Sequence, residues 1–545
     1  MPKELRPVSP PGSAVLDPAH EGEIRGALGR VPKWDSDRPR PWSRRLLTLA
    51  AIMGPGLIVM VGDNDAGGVA TYAQAGQDYG ASLLWVLVLL IPTLIVAQEM
   101  VVRLGAVTGV GHARLIRERF GRFWAAFSVG DLFLLNFLTL VTEFIGVDLG
   151  LRYFGVPPLA SVPVVAAGLL VMVATGSFHR WERFMFVFIT TSLLMFPLAA
   201  LSHPTAPAII TGITHPGVRG GFDATSVLFV IAVVGTTIAP WQLFFQQSNV
   251  IDKRITTRWL KYELADTSIG AVITTAGAAA IMVATAFAFS GTHLAGGFGS
   301  GLTVARGLEH TVGPASAAIF AVVLVNASVI GASAVTLSTS YAIADVFGMK
   351  HSLHRSVGDA KGFYLSFAAM IAVAAALVLI PSAPLGLITT GVQVLAGVLL
   401  PSAIVFLLLL CNDAEVLGPW VNSFRQNVAA SVIVGVLVLL SLILTVTTVV
   451  PNMPLVPFTL ITAVLGALAL GALGLESRRR AGASERQRMV GADRQVWRMP
   501  PLQTLRPPVW SLGQKVAMYG LRGYLVLAVL VLGVKIGQLA SGHPG

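Results

Sequence analysis

Apolar stretches of about 20 residues recur along this chain and alternate with short polar loops. About 20 apolar residues are enough for a helix to cross the hydrocarbon core of a bilayer. Such stretches cover residues 46–76, 81–103, 123–150, 159–177, 183–201, 224–249, 265–290, 312–345, 362–380, 386–411, 428–450, 455–474 and 518–538. The pattern predicts an all-α polytopic membrane protein with twelve spans, to which 518–538 adds either a last crossing or an interfacial helix.

The composition supports a membrane protein and argues against a soluble enzyme. Hydrophobic residues make up 54% of the chain and charged residues only 12%, whereas soluble domains carry roughly 25% charged residues. The single cysteine, Cys411, allows neither a disulfide framework nor a Cys-based zinc site. The sequence contains no hydrolase elbow, nucleotide-binding loop or zinc-protease motif, so we do not expect an enzyme.

The net charge of +11 comes largely from two segments. Residues 1–45 and 476–517 together hold 18 of the 38 Lys and Arg residues. Basic segments beside membrane spans indicate orientation and attraction to anionic lipids, so we expect the lipid bilayer, and not nucleic acid, as the partner. Residues 1–45 contain eight prolines and no apolar period, which predicts a disordered cytoplasmic tail. Residues 475–517 are predicted to be a second cytoplasmic basic segment.

The loops between the predicted spans are basic on one side only. If the N-terminus is cytoplasmic, the cytoplasmic side receives the Lys and Arg residues of 103–122, 180–183, 253–261, 350–361 and 425. The opposite side then receives only Arg152, Arg219 and Arg306. Because Lys and Arg accumulate in cytoplasmic loops, this bias predicts a multi-pass protein of the cell membrane with a cytoplasmic N-terminus.

The first span is interrupted by polar residues. Asp63, Asn64 and Asp65 lie in its middle, and Gly67 and Gly68 follow directly. Each glycine weakens a helix by about 1 kcal/mol, and each carboxylate in hydrocarbon costs at least ~2.5 kcal/mol. Irregular backbone at membrane depth is tolerated only where it lines a cavity. We therefore predict an unwound stretch whose carboxylates and carbonyls face a cation.

The sixth span carries a second interruption, between Gly235 and Trp241. Pro240 removes a backbone donor and clashes with the preceding turn. Two interrupted helices at corresponding positions of two halves are typical of transporters with inverted repeats. The spacing of five spans predicts a five-plus-five inverted repeat, with residues 46–201 and 224–411 as the two halves. Residues 428–474 would add two C-terminal spans.

At these positions the chain resembles the Nramp (natural resistance-associated macrophage protein) family of divalent metal transporters. The markers are Gly54-Pro55-Gly56, Asp65 to Gly68, the break from Gly235 to Pro240, and Asn412-Asp413. The resemblance covers roughly residues 45–450 and implies a LeuT-like transporter core. It also implies a metal site at Asp65, Gly68, Thr236, Ala239 and Gln393. Secondary candidates for the same site are Gly62, Asp63, Asn64, Glu143 and Trp241.

Several positions depart from the family pattern. Ala239 replaces a methionine, Gly68 an asparagine, Trp241 a histidine and Leu140 an aspartate. A methionine thioether suits transition metals, whereas carboxylates, carbonyls and water suit magnesium and manganese. The pattern is similar to that of the Nramp-related magnesium transporter branch. We therefore expect a secondary transporter of Mg²⁺ and Mn²⁺ that works by alternating access, without proton coupling and without a cofactor.

Other functions remain open at this point. Glu143 and Asp131 persist in the third span, so a proton-coupled Mn²⁺/Fe²⁺ importer of the ordinary Nramp type is one alternative. An organic-solute transporter of the same fold and a passive channel are others. The sequence leaves the oligomeric state open, with a monomer plausible. The histidines, His112 among them, fall in or beside predicted loops, where we expect them to be solvated.

Overall fold

The structure is a computed structural model that describes residues 20–32, 41–380, 385–449 and 497–505, with single positions between 457 and 530. The predicted spans at 455–474 and 518–538 lie largely outside these residues. So do residues 1–19 of the predicted tail and most of the basic segment 475–517.

Helices make up most of the described chain. In chain order they are α1 (Trp42–Ile52), α2 (Pro55–Val61), α3 (Ala66–Tyr79), α4 (Leu84–Thr108), α5 (His112–Phe120), α6 (Arg122–Tyr153), α7 (Pro158–Val173), α8 (Phe178–Ser192), α9 (Met195–Leu201), α10 (Ala206–Thr214), α11 (Ala224–Thr237), α12 (Pro240–Asp252), α13 (Leu260–Ala288), α14 (Gly301–Thr311), α15 (Pro314–Phe347), α16 (Lys361–Val378), α17 (Leu385–Cys411), α18 (Ala414–Leu417) and α19 (Phe424–Val449). A short hairpin, β1 (Ile24–Gly26) and β2 (Gly29–Val31), precedes them.

Within the described residues, eight helical segments are long and apolar enough to cross a membrane. The pair α1 and α2, bent by 54°, would make a ninth span, and α7 and the start of α19 are shorter apolar helices. Together they account for the eleven stretches predicted before residue 450. The helical fold class is therefore confirmed, although the stretch predicted at 46–76 consists of three helices, α1, α2 and α3.

Small residues let the central helices approach closely. Helix α6 packs along α15, α13 packs against α2, α3 and α4, and α11 packs against α17. A Cβ on Gly146 of α6 would lie 2.5 Å from Ala66 Cβ and 2.4 Å from Ser328 Oγ. A Cβ on Gly235 of α11 would lie 2.3 Å from the carbonyl oxygen of Gln393 in α17. Close backbone approach of this kind is common between membrane helices.

The hairpin lies in the segment that the composition predicts to be disordered. Ile24 pairs with Val31 across two antiparallel strands, and both side chains are buried against Ala51 and Ile52 of α1. The prediction of disorder is therefore wrong for residues 20–32. Two buried aliphatic side chains are too weak a signal in a Pro-rich segment, because the surface that covers them comes from distant parts of the chain.

His112 also differs from expectation. It is buried, its Nδ1 lies 2.9 Å from Oε1 of Gln247, and its ring packs edge-on against Phe244 at 4.7 Å between centroids. Burial lowers the pKa of His112 to about 4, and the hydrogen bond to Gln247 only partly opposes this. The imidazole is therefore neutral near pH 7 and serves packing.

We predict that Gly146→Ala destabilises the protein, because the new Cβ would overlap Ala66 Cβ. Overpacking of this kind typically costs about 1–3 kcal/mol. The matched control is Gly130→Ala in the same helix, where a Cβ has nothing within 4 Å. The measurement is thermal unfolding of the purified protein in detergent. Equal melting temperatures for the two variants would contradict this description of the α6 contact.

Candidate functional site

The first span breaks between Val61 and Ala66, as predicted. Helix α2 ends at Val61, and the N–H groups of Asp63 and Asn64 donate only to the carbonyls three residues earlier, each at 3.1 Å. Helix α3 then begins with Asp65 as its N-cap, where Oδ1 accepts a 2.6 Å hydrogen bond from the N–H of Gly68. A side-chain oxygen at this position satisfies one of the free donors of a helix start.

The sixth span breaks at Ile238 and Ala239, which are extended. Pro240 opens the next helix, α12, where its missing N–H costs nothing. The last carbonyls of α11, including that of Thr236, have no partner within their helix. The two breaks thus bring a helix start, α3, and a helix end, α11, to the same region.

Oxygen atoms from both breaks surround Gly68. A Cβ on Gly68 would lie 2.8 Å from the carbonyl oxygen of Asp63, 3.0 Å from Thr236 Oγ1 and 3.3 Å from Asp65 Oδ1. Gln393 of α17 reaches the same helix start, because its Nε2 lies 1.8 Å from the position of a Cβ on Gly67. The structure therefore brings together four of the five predicted metal residues. A side chain at Gly68 would lie too close to the Asp63 carbonyl and the Thr236 hydroxyl, so glycine at this position lets oxygen atoms from both breaks approach the start of α3.

Several buried polar atoms at the two breaks and beside them have no hydrogen-bond partner among the described residues. They are Asp63 Oδ1, Thr236 Oγ1, Gln393 Nε2, Glu143 Oε1 and Trp241 Nε1. A buried polar atom left without a partner costs about 1–3 kcal/mol. Unpaired atoms grouped in one region indicate that a polar ligand, water or an ion, belongs there.

Glu143 lies beside Asp65. Its Oε2 accepts a 3.0 Å hydrogen bond from the N–H of Ala66, the first residue of α3. A Cβ on Gly331 of α15 would lie 2.8 Å from both Asp65 Cβ and Glu143 Oε2. Two carboxylates thus cap one helix start, where the free N–H groups favour negative charge.

A second partner of the break is Gln242, which the sequence reasoning did not identify. Its Nε2 donates to Asp63 Oδ2, and both residues are fully buried. A buried glutamine two residues after Pro240 was the only available signal. It is a weak one, because nothing in the sequence links position 242 to position 63.

The remaining candidates lie at the two breaks and are buried. Asn64 turns towards α13, where its Nδ2 donates to the Thr274 carbonyl at 2.9 Å. Trp241 is fully buried, and its ring lies 3.1 Å from the position of a Cβ on Gly62. Ala239 is buried at the N-cap of α12, and its side chain is only a methyl group. The roles of these residues towards a metal stay predictions.

The group of oxygen atoms around Gly68 is unlike a conventional metal cluster. Within the part of the chain that the structure describes, no three His, Cys, Asp or Glu side chains are arranged to hold an ion. An ion at Asp65 would depend on carbonyl, hydroxyl and amide groups and on its own water. Such donors fit a hard cation better than a soft one.

The chain is similar to known divalent metal transporters. The sequence profile described as "Natural resistance-associated macrophage protein-like" (Nramp) matches residues 56–447. The divalent metal cation transporter MntH of Bacillus subtilis (strain 168) is 28% identical over 354 residues, which cover 62% of this chain and 76% of the relative. The MntH of Aeromonas hydrophila is 26% identical over 411 residues, covering 71% and 93%.

A crystal structure of the Eremococcus coleocola manganese transporter has the same fold, with a TM-score of 0.62 at 19% identity. The similarity covers 84% of this chain and 98% of that one. The fold is therefore a five-plus-five helical core with broken first and sixth helices. The family match, and not the fold, identifies a multi-pass membrane transporter and excludes an enzyme. The chain belongs to the Nramp family.

Proposed function

We propose that this protein is a secondary transporter of divalent metal cations, with Mg²⁺ and Mn²⁺ as substrates. It would work by alternating access in the cell membrane with its N-terminus in the cytoplasm. The observation that carries the proposal is the group of oxygen atoms around Gly68, contributed by Asp63, Asp65 and Thr236. The names of its relatives from B. subtilis and A. hydrophila, divalent metal cation transporters, support the substrate class.

The donor atoms support hard ions. Asp65 supplies a carboxylate, Thr236 a hydroxyl and Asp63 a carbonyl, whereas Ala239 supplies no thioether. Mg²⁺ releases its water reluctantly and is usually held through one or two carboxylates with several waters retained. Neither Gly68 nor Ala239 adds a donor side chain of its own, so an ion at Asp65 would keep several of its waters. A partly hydrated Mg²⁺ or Mn²⁺ therefore fits this donor set better than a dehydrated soft ion.

The charge of the site argues against an organic acid as substrate. Asp63, Asp65 and Glu143 lie on or beside one helix break and are all buried. Buried carboxylates require a compensating partner, and a divalent cation provides one where an anionic solute would be repelled. Gln242 and the start of α3 supply neutral donors only.

The breaks also support alternating access. Each divides its span into two half-helices, α2 with α3 and α11 with α12. A half-helix on one side of the site can therefore move while the other half stays packed. Broken helices at the substrate site serve this purpose in inverted-repeat transporters.

We predict that Asp65→Asn reduces Mg²⁺ uptake into proteoliposomes by at least about tenfold, a loss of ~1.4 kcal/mol or more. Asparagine is as good an N-cap as aspartate, so α3 should stay folded while the charge is lost. The control is Asp78→Asn near the end of the same helix, where Gln74 is the side-chain partner. Normal uptake by Asp65→Asn would reject the assignment of this residue.

We predict that Ala239→Met raises the preference for Mn²⁺ over Mg²⁺ by roughly tenfold, because the thioether is a softer ligand. Ala239→Leu adds a side chain of similar size without sulfur and serves as the control. The measurement is competition of the two ions for uptake. If both variants change the preference equally, bulk and not ligand chemistry sets the selectivity.

We predict that uptake proceeds without proton coupling, because Leu140 and Trp241 replace the proton-handling residues of the family pattern. An inside-negative potential of 100 mV supplies about 4.6 kcal/mol to a divalent ion, from ~2.3 per charge. A pH dye inside the liposomes should show no acidification as metal enters. The alternative is a proton-coupled importer, which the position of Glu143 beside Asp65 favours. In that case the liposome interior should acidify as metal enters. The acidification should disappear in Glu143→Gln.

A further inference from the structure

The tip of the N-terminal hairpin lies against a buried ion pair. Lys253 Nζ lies 2.5 Å from Glu182 Oε1, and both side chains are inaccessible to solvent. The backbone N–H of Ala27, in the turn between β1 and β2, donates to the other carboxylate oxygen, Oε2, at 2.6 Å. A buried ion pair is stable only when its remaining hydrogen-bonding capacity is also satisfied. The hairpin supplies one of the required donors.

The ion pair connects α8 and the end of α12 to the residue just before α2. Glu182 lies in α8, Lys253 directly follows α12, and Lys253 Nζ also donates to the Met53 carbonyl just before α2, at 2.8 Å. Asp266 of α13 accepts the N–H groups of Gly54 and Gly56 at 3.0 and 2.8 Å. The start of α2 is thus held against three other helices.

A second contact ties the hairpin to the end of α12. His20 Nε2 lies 3.0 Å from Oδ1 of Asp252, the last residue of that helix. The same carboxylate accepts the Ser352 hydroxyl at 2.8 Å and the Leu353 N–H at 2.9 Å. The hairpin, α12 and the loop after α15 therefore share one buried acid.

The hairpin fits this surface closely. A Cβ on Gly26 would lie only 2.1 Å from the Ala51 carbonyl oxygen and 3.0 Å from Lys253 Nζ. Ile24 and Val31 pack into an apolar cluster with Ile52 of α1 and Val250 of α12. By contrast, Leu28 at the tip is 55% exposed. Specific contacts and apolar burial both hold residues 20–31 in place.

We propose that residues 20–31 form a latch on the cytoplasmic gate. In the bound position the latch holds α2 against α8, α12 and α13, and the latch has to leave before the ion can pass from Asp65 to the cytoplasm. The proposal rests on the alternating-access function proposed above. Release of the hairpin removes the Ala27 donor from Glu182 and admits water to the Lys253 pair, which weakens the contact at the start of α2. The latch therefore slows opening.

The test uses a single buried thiol beneath the latch. Ala51 is 1% exposed beneath the hairpin. In the full-length Cys411→Ser chain, Ala51→Cys would be the only thiol. Its rate of maleimide labelling therefore reports release of the hairpin. Gly26→Val should undock the hairpin, and Ala27→Pro should remove the donor to Glu182. Leu28→Val is the matched control at the exposed tip. Labelling rates follow the population of the open form.

We expect Gly26→Val and Ala27→Pro to label roughly tenfold faster than the parent and to take up Mg²⁺ faster in liposomes. Leu28→Val should change neither. Mg²⁺ should accelerate labelling in the parent but not in Asp65→Asn. If Gly26→Val and Ala27→Pro label at the parent's rate, or label faster but take up Mg²⁺ more slowly, the latch proposal is wrong. The hairpin would then only stabilise the fold. A normal rate of uptake in Asp65→Asn would instead reject the transport site and leave the latch contacts intact.

Discussion

Every carboxylate and free backbone group inside a membrane protein has to be satisfied by the protein or by its ligand, because the lipid offers no hydrogen bonds. The start of α3 meets this constraint in an unusual way. Asp65 and Glu143 accept its first N–H groups, so one helix start stabilises two buried acids. Asp63 Oδ1 and Glu143 Oε1 have no hydrogen-bond partner among the described residues, and these unpaired carboxylate oxygens are the reason for proposing a cation as the ligand.

The neighbouring helices pack closely against the start of α3. Gly146 and Gly331 let α6 and α15 approach Ala66 and Asp65 without intervening side chains. The Thr274 hydroxyl of α13 donates to the Met60 carbonyl at 2.6 Å and holds the end of α2. Helix α17 packs closely on Gly235 and carries Gln393 to Gly67. Close packing thus serves the geometry of the break as well as stability.

The breaks themselves could be predicted from the sequence, because the Asp63-Asn64-Asp65 cluster and Pro240 act locally on the spans that contain them. Gly67 and Gly68, expected in the unwound stretch, instead lie in the first turn of α3. The grouping of Asp65, Gly68, Thr236 and Gln393 came from the family resemblance. Gln242 could not be predicted from the sequence, because its partner, Asp63, is 179 residues away. The hairpin could not be predicted for the same reason, because Ala27 and its partner Glu182 are 155 residues apart. Long-range hydrogen bonds leave no local pattern.

The proposed transport mechanism requires a divalent ion to bind between the two breaks. Crystals of the protein grown with Mn²⁺ and measured near the manganese absorption edge would locate the ion directly. We expect one anomalous peak within ligand distance of Asp65, on the side of Gly68 that faces Thr236, and we expect excess Mg²⁺ to remove it. A peak elsewhere in the bundle with none at Asp65 would contradict the proposed site.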